Sequence, residues 1–538
     1  MQHVPYHIVA NVKVGRGLSP SSKLAAPDPG SNCTAQWRVS DERMSPELKT
    51  SVPTMLPPAG TLPPGPSNDS ASSAKRPRAA ARLDRMPATW WLASIMGLLF
   101  LSWLIESYDI GLTGSVLPSL TQQFALSTAM KSFVAVAANI GIVIGIVPAG
   151  RLADRFGRRK VLIVGTAAYA ILTFATGFAH GLASLITLRI VDGIAMGAVF
   201  PIPYIYASEL CPPNRRGRFT GWADSFLSFG YFLSPLLALL LIPNVNDTEG
   251  WRIMFMIGGI PILFALLAWR FLPESPRWLE SKGHWLESEA ALAKMEARAE
   301  RSLGAPLAPL PPEVEVPAVA PLHPLRAIFK PPLRRRSATL WVTFGGTFFI
   351  FYSIQTFMPT VVAKMGYPLT SAFEFTAIIV GVSIPGKMLE AYVIERWGRK
   401  PVIIGFTTIA ALAAMAFGFV RGAIPIIALG CLMSFFGIGV DPAVKTYTSE
   451  SYPTEIRAWG VATTEGFGRL ISGVAGPSLI PIMLSNFGVG AVYSLVGSVA
   501  LIAVVIVFIF GRETHGMTLE QSADVNAPLE RTRSVLTT

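Results

Sequence analysis

Charge is scarce in this sequence. Only 14% of the 538 residues are Asp, Glu, Lys or Arg, against roughly a quarter in soluble domains. Hydrophobic residues make up 51% and mean hydropathy is +0.47. A chain so poor in charge cannot clothe a globular surface, and reads as a polytopic membrane protein. Cysteine is nearly absent. Cys33, Cys211 and Cys431 stand too far apart for a metal-ligand set or a disulfide framework, and Cys431, in an apolar run, reads as a packing residue. No Walker loop, metal-ligand cluster or nucleophile elbow occurs, so no enzyme, no cofactor and no metal are expected. The first twenty residues lack the charged-then-apolar layout of a signal peptide, and the first span must serve as its own insertion signal. The excess of bases, a formal +12, falls in loops between apolar runs, as topology demands, so no nucleic-acid partner is expected.

Apolar runs are what the chain has in quantity. Twelve approach the ~20 residues a bilayer crossing needs. They lie near 90–118, 131–150, 161–179, 183–208, 219–242 and 252–272, then near 339–360, 373–394, 401–420, 423–448, 459–484 and 488–510. Residues 1–88, rich in Pro, Ser, Ala and Gly, read as a disordered cytoplasmic tail, or as the product of an early start with Met86 as the true beginning. The expected division is then a six-helix bundle over 89–272, a cytoplasmic linker with short helices over 273–337, a second bundle over 338–511 and a tail over 512–538. A charged helix in the linker, running to about Arg301, is expected either to lie on the inner membrane surface or to be solvated. Twelve bases sit in the short loops on the N-terminal side (Arg151, Arg155, Arg158, Arg159, Lys160, Arg215, Arg216, Arg218, Arg396, Arg399, Lys400, Arg457). Four sit opposite (Lys131, Arg252, Lys364, Arg421). That bias puts both termini in the cytoplasm of an inner-membrane protein.

One loop organises the rest. Gly150-Arg-Leu-Ala-Asp154-Arg155-Phe-Gly157-Arg158-Arg159-Lys160 carries six charges in eleven residues and returns in weaker form at Glu395-Arg396-Trp-Gly398-Arg399-Lys400. Asp154 and Glu395, Gly157 and Gly398, Glu209 and Glu450, Pro212 and Pro453, and Arg216 and Arg457 are each 241 positions apart. Two homologous six-span halves that start on the same side are parallel repeats, and such transporters hold substrate between the halves near the midplane. The fold class expected is all-α integral membrane: twelve transmembrane helices in two pseudo-symmetric six-helix bundles around a central cavity.

The loop resembles the hallmark of the major facilitator superfamily. Pro273-Glu-Ser-Pro-Arg-Trp-Leu279, Glu450-Ser-Tyr-Pro-Thr-Glu-Ile-Arg457 and Arg512-Glu-Thr-His-Gly516 are similar to motifs of its sugar porters and their relatives. Tyr108-Asp109-x-Gly111 with Gly466-Phe-Gly-Arg469 resembles the metabolite:proton symporters, the branch with niacin and aromatic-acid transporters. Span 7 lacks the paired glutamines typical of sugar porters. The resemblance implies a monomer that moves a small organic metabolite, a carboxylate or aromatic acid, with protons by alternating access. Proton-coupled export of drugs or metabolites, sugar:proton symport and a transporter-like ligand sensor are the alternatives. It also places Asp154 near the start of span 11, where a helix N-terminus attracts negative charge, and by the repeat Glu395 near the start of span 5. Gly150, Asp154, Arg155, Gly157 and Arg158, with Glu395, Arg396, Gly398, Arg399, Glu209, Arg216, Glu450 and Arg457, then form a latch between halves.

Charges inside spans need a reason, since each costs on the order of 2.5–3.5 kcal/mol at bilayer depth. Glu106 and Asp109 share a face of span 1, and Arg189 and Asp192 a face of span 4. Counting residues from the span ends puts Asp109 ~14 Å and Arg189 ~9 Å deep. An Asp109–Arg189 contact is therefore predicted, serving as a protonation switch or as a static pair. Asp441 with Lys445, and Glu465 with Arg469, can neutralise themselves at i, i+4. Arg469 can instead face a substrate carboxylate. Lys387 and Glu390, near the inner end of span 8, can snorkel.

Overall fold

Helices satisfy every backbone polar group within one segment, which lipid requires, and twelve of them here are long and apolar enough to span a bilayer. The structure is a computed structural model and describes residues 78–515 apart from 88, 211–212, 246–248, 311–326, 332 and 454–455. The spans are Trp90–Gln123, Thr128–Phe156, Arg158–Thr176, Leu182–Ala207, Ala223–Val245 and Gly250–Phe271, then Leu333–Lys364, Leu369–Trp397, Arg399–Phe417, Ala423–Glu450, Trp459–Asn486 and Gly488–Phe510. No strand occurs among the described residues. The tail over 1–77, most of the Pro-rich linker, residues 516–538 and the side chain of Arg216 lie outside the described part. Span 7 opens at Leu333, earlier than expected, so the Arg334–Arg336 run begins a helix instead of closing the linker.

Several spans are interrupted, each at a proline that cannot donate to the preceding turn. Span 4 breaks before Ile202, at Pro201. Span 6 breaks at Gly258 before Pro261, and span 10 at Ile438–Val440 before Pro442. Span 8 breaks at Val382, shortly before Pro385. In span 11 the helix widens into a π turn over Leu470–Ala475, directly after Arg469.

Spans 2 and 4 pack backbone to backbone. A Cβ at Gly141 would meet Ile190 O at 2.2 Å, one at Gly145 would meet Ile194 O at 2.1 Å, and one at Gly193 would meet Ala138 O at 2.2 Å. This small-residue seam fixes the height of Arg189 and Asp192. The six-span halves meet along spans 1 and 7, 2 and 11, and 5 and 8.

At the end of the bundle that carries the charged loops, helices Pro276–Ser281 and Trp285–Leu303 receive a short helix, Arg78–Asp84. The expected tail is thus folded from Arg78 on. Ala79 N donates to Glu280, Arg82 pairs with Glu289 and Glu296, Arg85 pairs with Glu296 at 2.6 Å, and Arg277 pairs with Asp84 at 2.7 Å. The linker helix does not spend its apolar face on lipid. Met295 and Ala299 close a crevice with Leu83, Met86, Trp91, Leu92 and Leu210.

Candidate functional site

Three groups of buried polar side chains lie within the spans. The first is in the first half. Arg189 Nη1 donates to Asp109 Oδ1 at 2.7 Å and to Asp192 Oδ2 at 2.6 Å, and Nη2 to Thr113 at 3.2 Å. Thr173 of span 3 joins both carboxyls, and the Phe255 ring lies 5.4 Å from the guanidinium. The predicted Asp109–Arg189 contact is present. Asp192 enters the same group, and Thr173 was not foreseen because a span threonine is usually bonded to its own helix. Glu106 stands apart: Oε1 accepts from Ser102 at 2.9 Å and Oε2 has no protein partner.

The second group centres on Arg469. Its guanidinium lies 4.2 Å from the Phe200 ring of the other half and donates to Tyr352 Oη at 2.9 Å. Its Nε is buried without a partner among the described residues. The expected self-neutralisation by Glu465 is replaced by this bond to Tyr352, although Glu465 and Glu106 stay within electrostatic reach. The π turn that follows Arg469 shifts the helix register at this residue; such turns recur at functional sites. The rings of Tyr352, Phe351, Phe348 and, from the first half, Tyr231 continue the surface.

The third group bridges the halves. Lys445 donates to Asp224 Oδ1 at 2.8 Å, to Asp441 Oδ2 at 3.1 Å and to Tyr204 Oη at 3.3 Å. Lys387 donates to the Asp224 carbonyl at 2.9 Å and lies 3.3 Å from Asp441 Oδ2. Lys387 and Glu390 therefore do not snorkel. The break at Val382 turns this segment inward, and both are about 1% exposed. Asp441 opens the second half of span 10, where unpaired N–H groups favour an acid. Tyr204 and Lys445 are themselves 241 positions apart, so the pair could have been found by applying the repeat offset to each buried charge.

The two loop motifs form matching charge networks. Arg158 joins Asp154 at 3.0 Å and Glu209 at 3.0 Å; Arg399 joins Glu395 at 3.7 Å and Glu450 at 3.1 Å. Gly157 and Gly398, at φ +100° and +91°, end one span and start the next. Glu274 accepts from Arg159 N, and Glu513 from Arg399 N and Lys400 N, each at 3.0 Å. These two helix-capping acids are 239 apart, not 241, which hid them from the repeat comparison. Asp154 and Glu395 are about two-thirds exposed and turned back on their own loops. The contact of the first loop with the start of span 11 comes instead from Arg151, 5.7 Å from the Trp459 ring. Gly150 has open space around it, and Arg155 and Arg396 lie over Phe156 and Tyr392. Arg457 donates to Tyr452 O at 3.4 Å.

A family model described as "Sugar (and other) transporter" matches residues 95–525. The chain belongs to that family. It is a multi-pass membrane transporter of the major facilitator superfamily. The transporter is 30% identical to a niacin transporter of Acinetobacter baylyi over 82% of its own length and 98% of the relative. It is 28% identical to a gallate transporter of Pseudomonas putida, over 78% and 92%. Among solved structures it superposes on a partially occluded, inward-open xylose transporter of E. coli with a TM-score of 0.64, at 19% identity, over 78% of this chain and 99% of that one. The transporter's twelve spans agree with that fold.

Proposed function

We propose that this transporter carries a small aromatic carboxylate together with a proton, by alternating access, as a monomer of a cell inner membrane with both termini in the cytoplasm. The observation that carries the reading is Arg469. A guanidinium stacked on a phenylalanine, with a tyrosine hydroxyl beside it and one N–H unused, can take a carboxylate on its fork and an aromatic ring against its neighbours. It lies where the halves meet, so substrate bound there touches both. The named substrates of the relatives, niacin and gallate, are both ring acids. Proton coupling is assigned to Asp109, Glu106, Arg189 and Asp192. Asp224, Asp441, Lys387 and Lys445, with the loop networks, form the barrier on the cytoplasmic side. The excess of bases in the loops at that end supports the orientation.

The test is uptake of labelled nicotinate, gallate and 4-hydroxybenzoate into proteoliposomes, with and without an inward proton gradient. Accumulation of at least one acid above its outside concentration only when the gradient is imposed is the expected result. Uptake that merely equilibrates, or that ignores the gradient, overturns proton coupling. Transport of xylose in place of every acid overturns the substrate class.

A further inference from the structure

Thr173 has one hydroxyl hydrogen and two carboxyl groups beside it. Its Oγ1 lies 2.6 Å from Asp109 Oδ2 and 2.9 Å from Asp192 Oδ1. Both are hydrogen-bond distances. An ionised carboxylate only accepts, so the hydroxyl can answer one of them, and the other contact needs a hydrogen that belongs to the carboxyl. Charge gives the same count. Arg189 is one positive group against two carboxyls, all 3% exposed or less. Two ionised carboxylates would leave an uncompensated negative charge in a site sealed from water.

Among the described residues the surroundings supply no other cation for it. Span 1 contributes Glu106 and Tyr108, the latter bonded to Met254 O. Span 6 contributes Phe255 under the guanidinium and Gly258, whose missing Cβ would lie 2.4 Å from Thr173 Cγ2, so the threonine is held in place. Span 3 contributes Tyr169, wholly buried, its hydroxyl beside that of Thr166 and within electrostatic reach of Glu106, Asp109 and Asp192. A buried hydroxyl within electrostatic reach of all three acids is what a proton pathway needs.

We infer that Asp109 and Asp192 hold one proton between them, shared through Thr173, with Tyr169 as the neighbouring hydroxyl that links the pair to Glu106. The inference deepens the proton-coupled reading above and rests on it. A proton taken from water on one side converts the group from one net negative charge to neutral. Its return to water on the other side restores the charge, and Arg189 stays protonated throughout. Asp192 and Thr173 thereby become positioning residues for the coupled proton, with Asp109.

Infrared difference spectroscopy on the purified full chain in nanodiscs, without substrate, tests this. At neutral pH a carbonyl stretch of a protonated carboxylic acid should be present and should shift on exchange into D2O. It should survive Glu106→Gln, which removes the other buried acid of span 1. It should vanish in Asp192→Asn, where the remaining carboxylate pairs with Arg189 alone, and shift in Thr173→Val, which keeps both acids and nearly the same volume. Thr173→Val should also move the pH midpoint of gradient-driven uptake. A wild-type spectrum without a D2O-sensitive acid band overturns the shared proton, as does a band lost in Glu106→Gln or unmoved in Thr173→Val. None of these outcomes touches the gradient response of wild-type uptake, which alone decides the reading above.

Discussion

Arg469 tests the substrate chemistry at the scale of one side chain. Lysine keeps the charge but loses the planar fork, and its compact ammonium cannot stack on Phe200 as the guanidinium does. Arg469→Lys should therefore raise KM for an aromatic acid about tenfold or more, equivalent to ~1.4 kcal/mol, with a smaller change in kcat. Arg469→Ala should abolish measurable uptake while leaving the protein monodisperse. An unchanged KM in the lysine variant would remove the carboxylate from this position. Asp109→Asn tests the coupling. It leaves Arg189 with Asp192 as its one ionisable partner, so accumulation driven by the proton gradient should be lost while exchange of labelled for unlabelled substrate across the membrane persists. Exchange and gradient-driven accumulation falling together would instead mark Asp109 as a substrate contact. Much of this site was legible in the sequence because a charge in an apolar run is conspicuous: Asp109, Arg189, Asp192 and Arg469 all stand out that way. Thr173 was not legible, since hydroxyl side chains are ordinary in membrane helices and only their neighbours give them a role, and Tyr204 was legible only through its 241-residue offset from Lys445. The inward turn of Lys387 was also hidden, because helical depth was read along a straight span and span 8 is broken at Val382.

At the scale of elements, the short helix Arg78–Asp84 is the part that composition misjudged. Its surroundings, Pro- and Ala-rich, gave no lasting periodicity, and its order comes from partners some 200 residues away. Glu296 is the centre of that docking. Burial alone would raise its carboxyl, but hydrogen bonds from Arg82 and Arg85 outweigh burial and hold it below the usual glutamate range; the same bonds, Glu296 first, raise Arg82. A carboxyl whose folded pKa is depressed stabilises the folded form above its unfolded pKa, and the benefit is lost as pH falls through the folded value. Docking of this helix should thus be constant near neutrality and weaken only below the ordinary glutamate range. Hydrogen exchange of peptides covering 79–87 should show that onset, and Glu296→Gln should abolish it and expose the segment at pH 7. Equal protection in wild type and Glu296→Gln would mean the apolar contacts of Leu83 and Met86 suffice. The twelve spans themselves were legible from hydropathy. Their breaks were partly so, since every interrupted span carries a proline near the break, and the π turn in span 11 is likewise followed by Pro477, although a proline alone does not tell a π turn from a break.

The whole molecule has two seams between its halves, and they oppose one another. At the motif-bearing end, Asp224 and Tyr204 of the first half meet Lys445 of the second. Tyr204 and Lys445 are related by the repeat, and equivalent residues that touch must lie close to the pseudo-twofold axis, so this contact is central to the barrier. At the far end, Ser132 Oγ donates to Ser478 O at 3.0 Å, and a Cβ at Gly114 would sit 2.1 Å from Gln355 O. Gly114→Val cannot be absorbed by a flexible side chain because the obstacle is backbone. It should force spans 1 and 7 apart and favour the form open at the far end. Lys445→Met acts the other way: it takes the ion-pair partner from Asp224, while Asp441 keeps Lys387, and breaking a buried pair costs on the order of 3–5 kcal/mol, while a tenfold shift between two states needs only ~1.4 kcal/mol. With Cys33, Cys211 and Cys431 replaced by serine and a reporter at Ser132→Cys, a membrane-impermeant maleimide should label the Gly114→Val protein severalfold faster than its parent, and the Lys445→Met protein severalfold slower. Labelling that is the same in all three would mean the two seams open and close independently, and that the halves do not rock as rigid bodies about the axis on which Tyr204 and Lys445 meet.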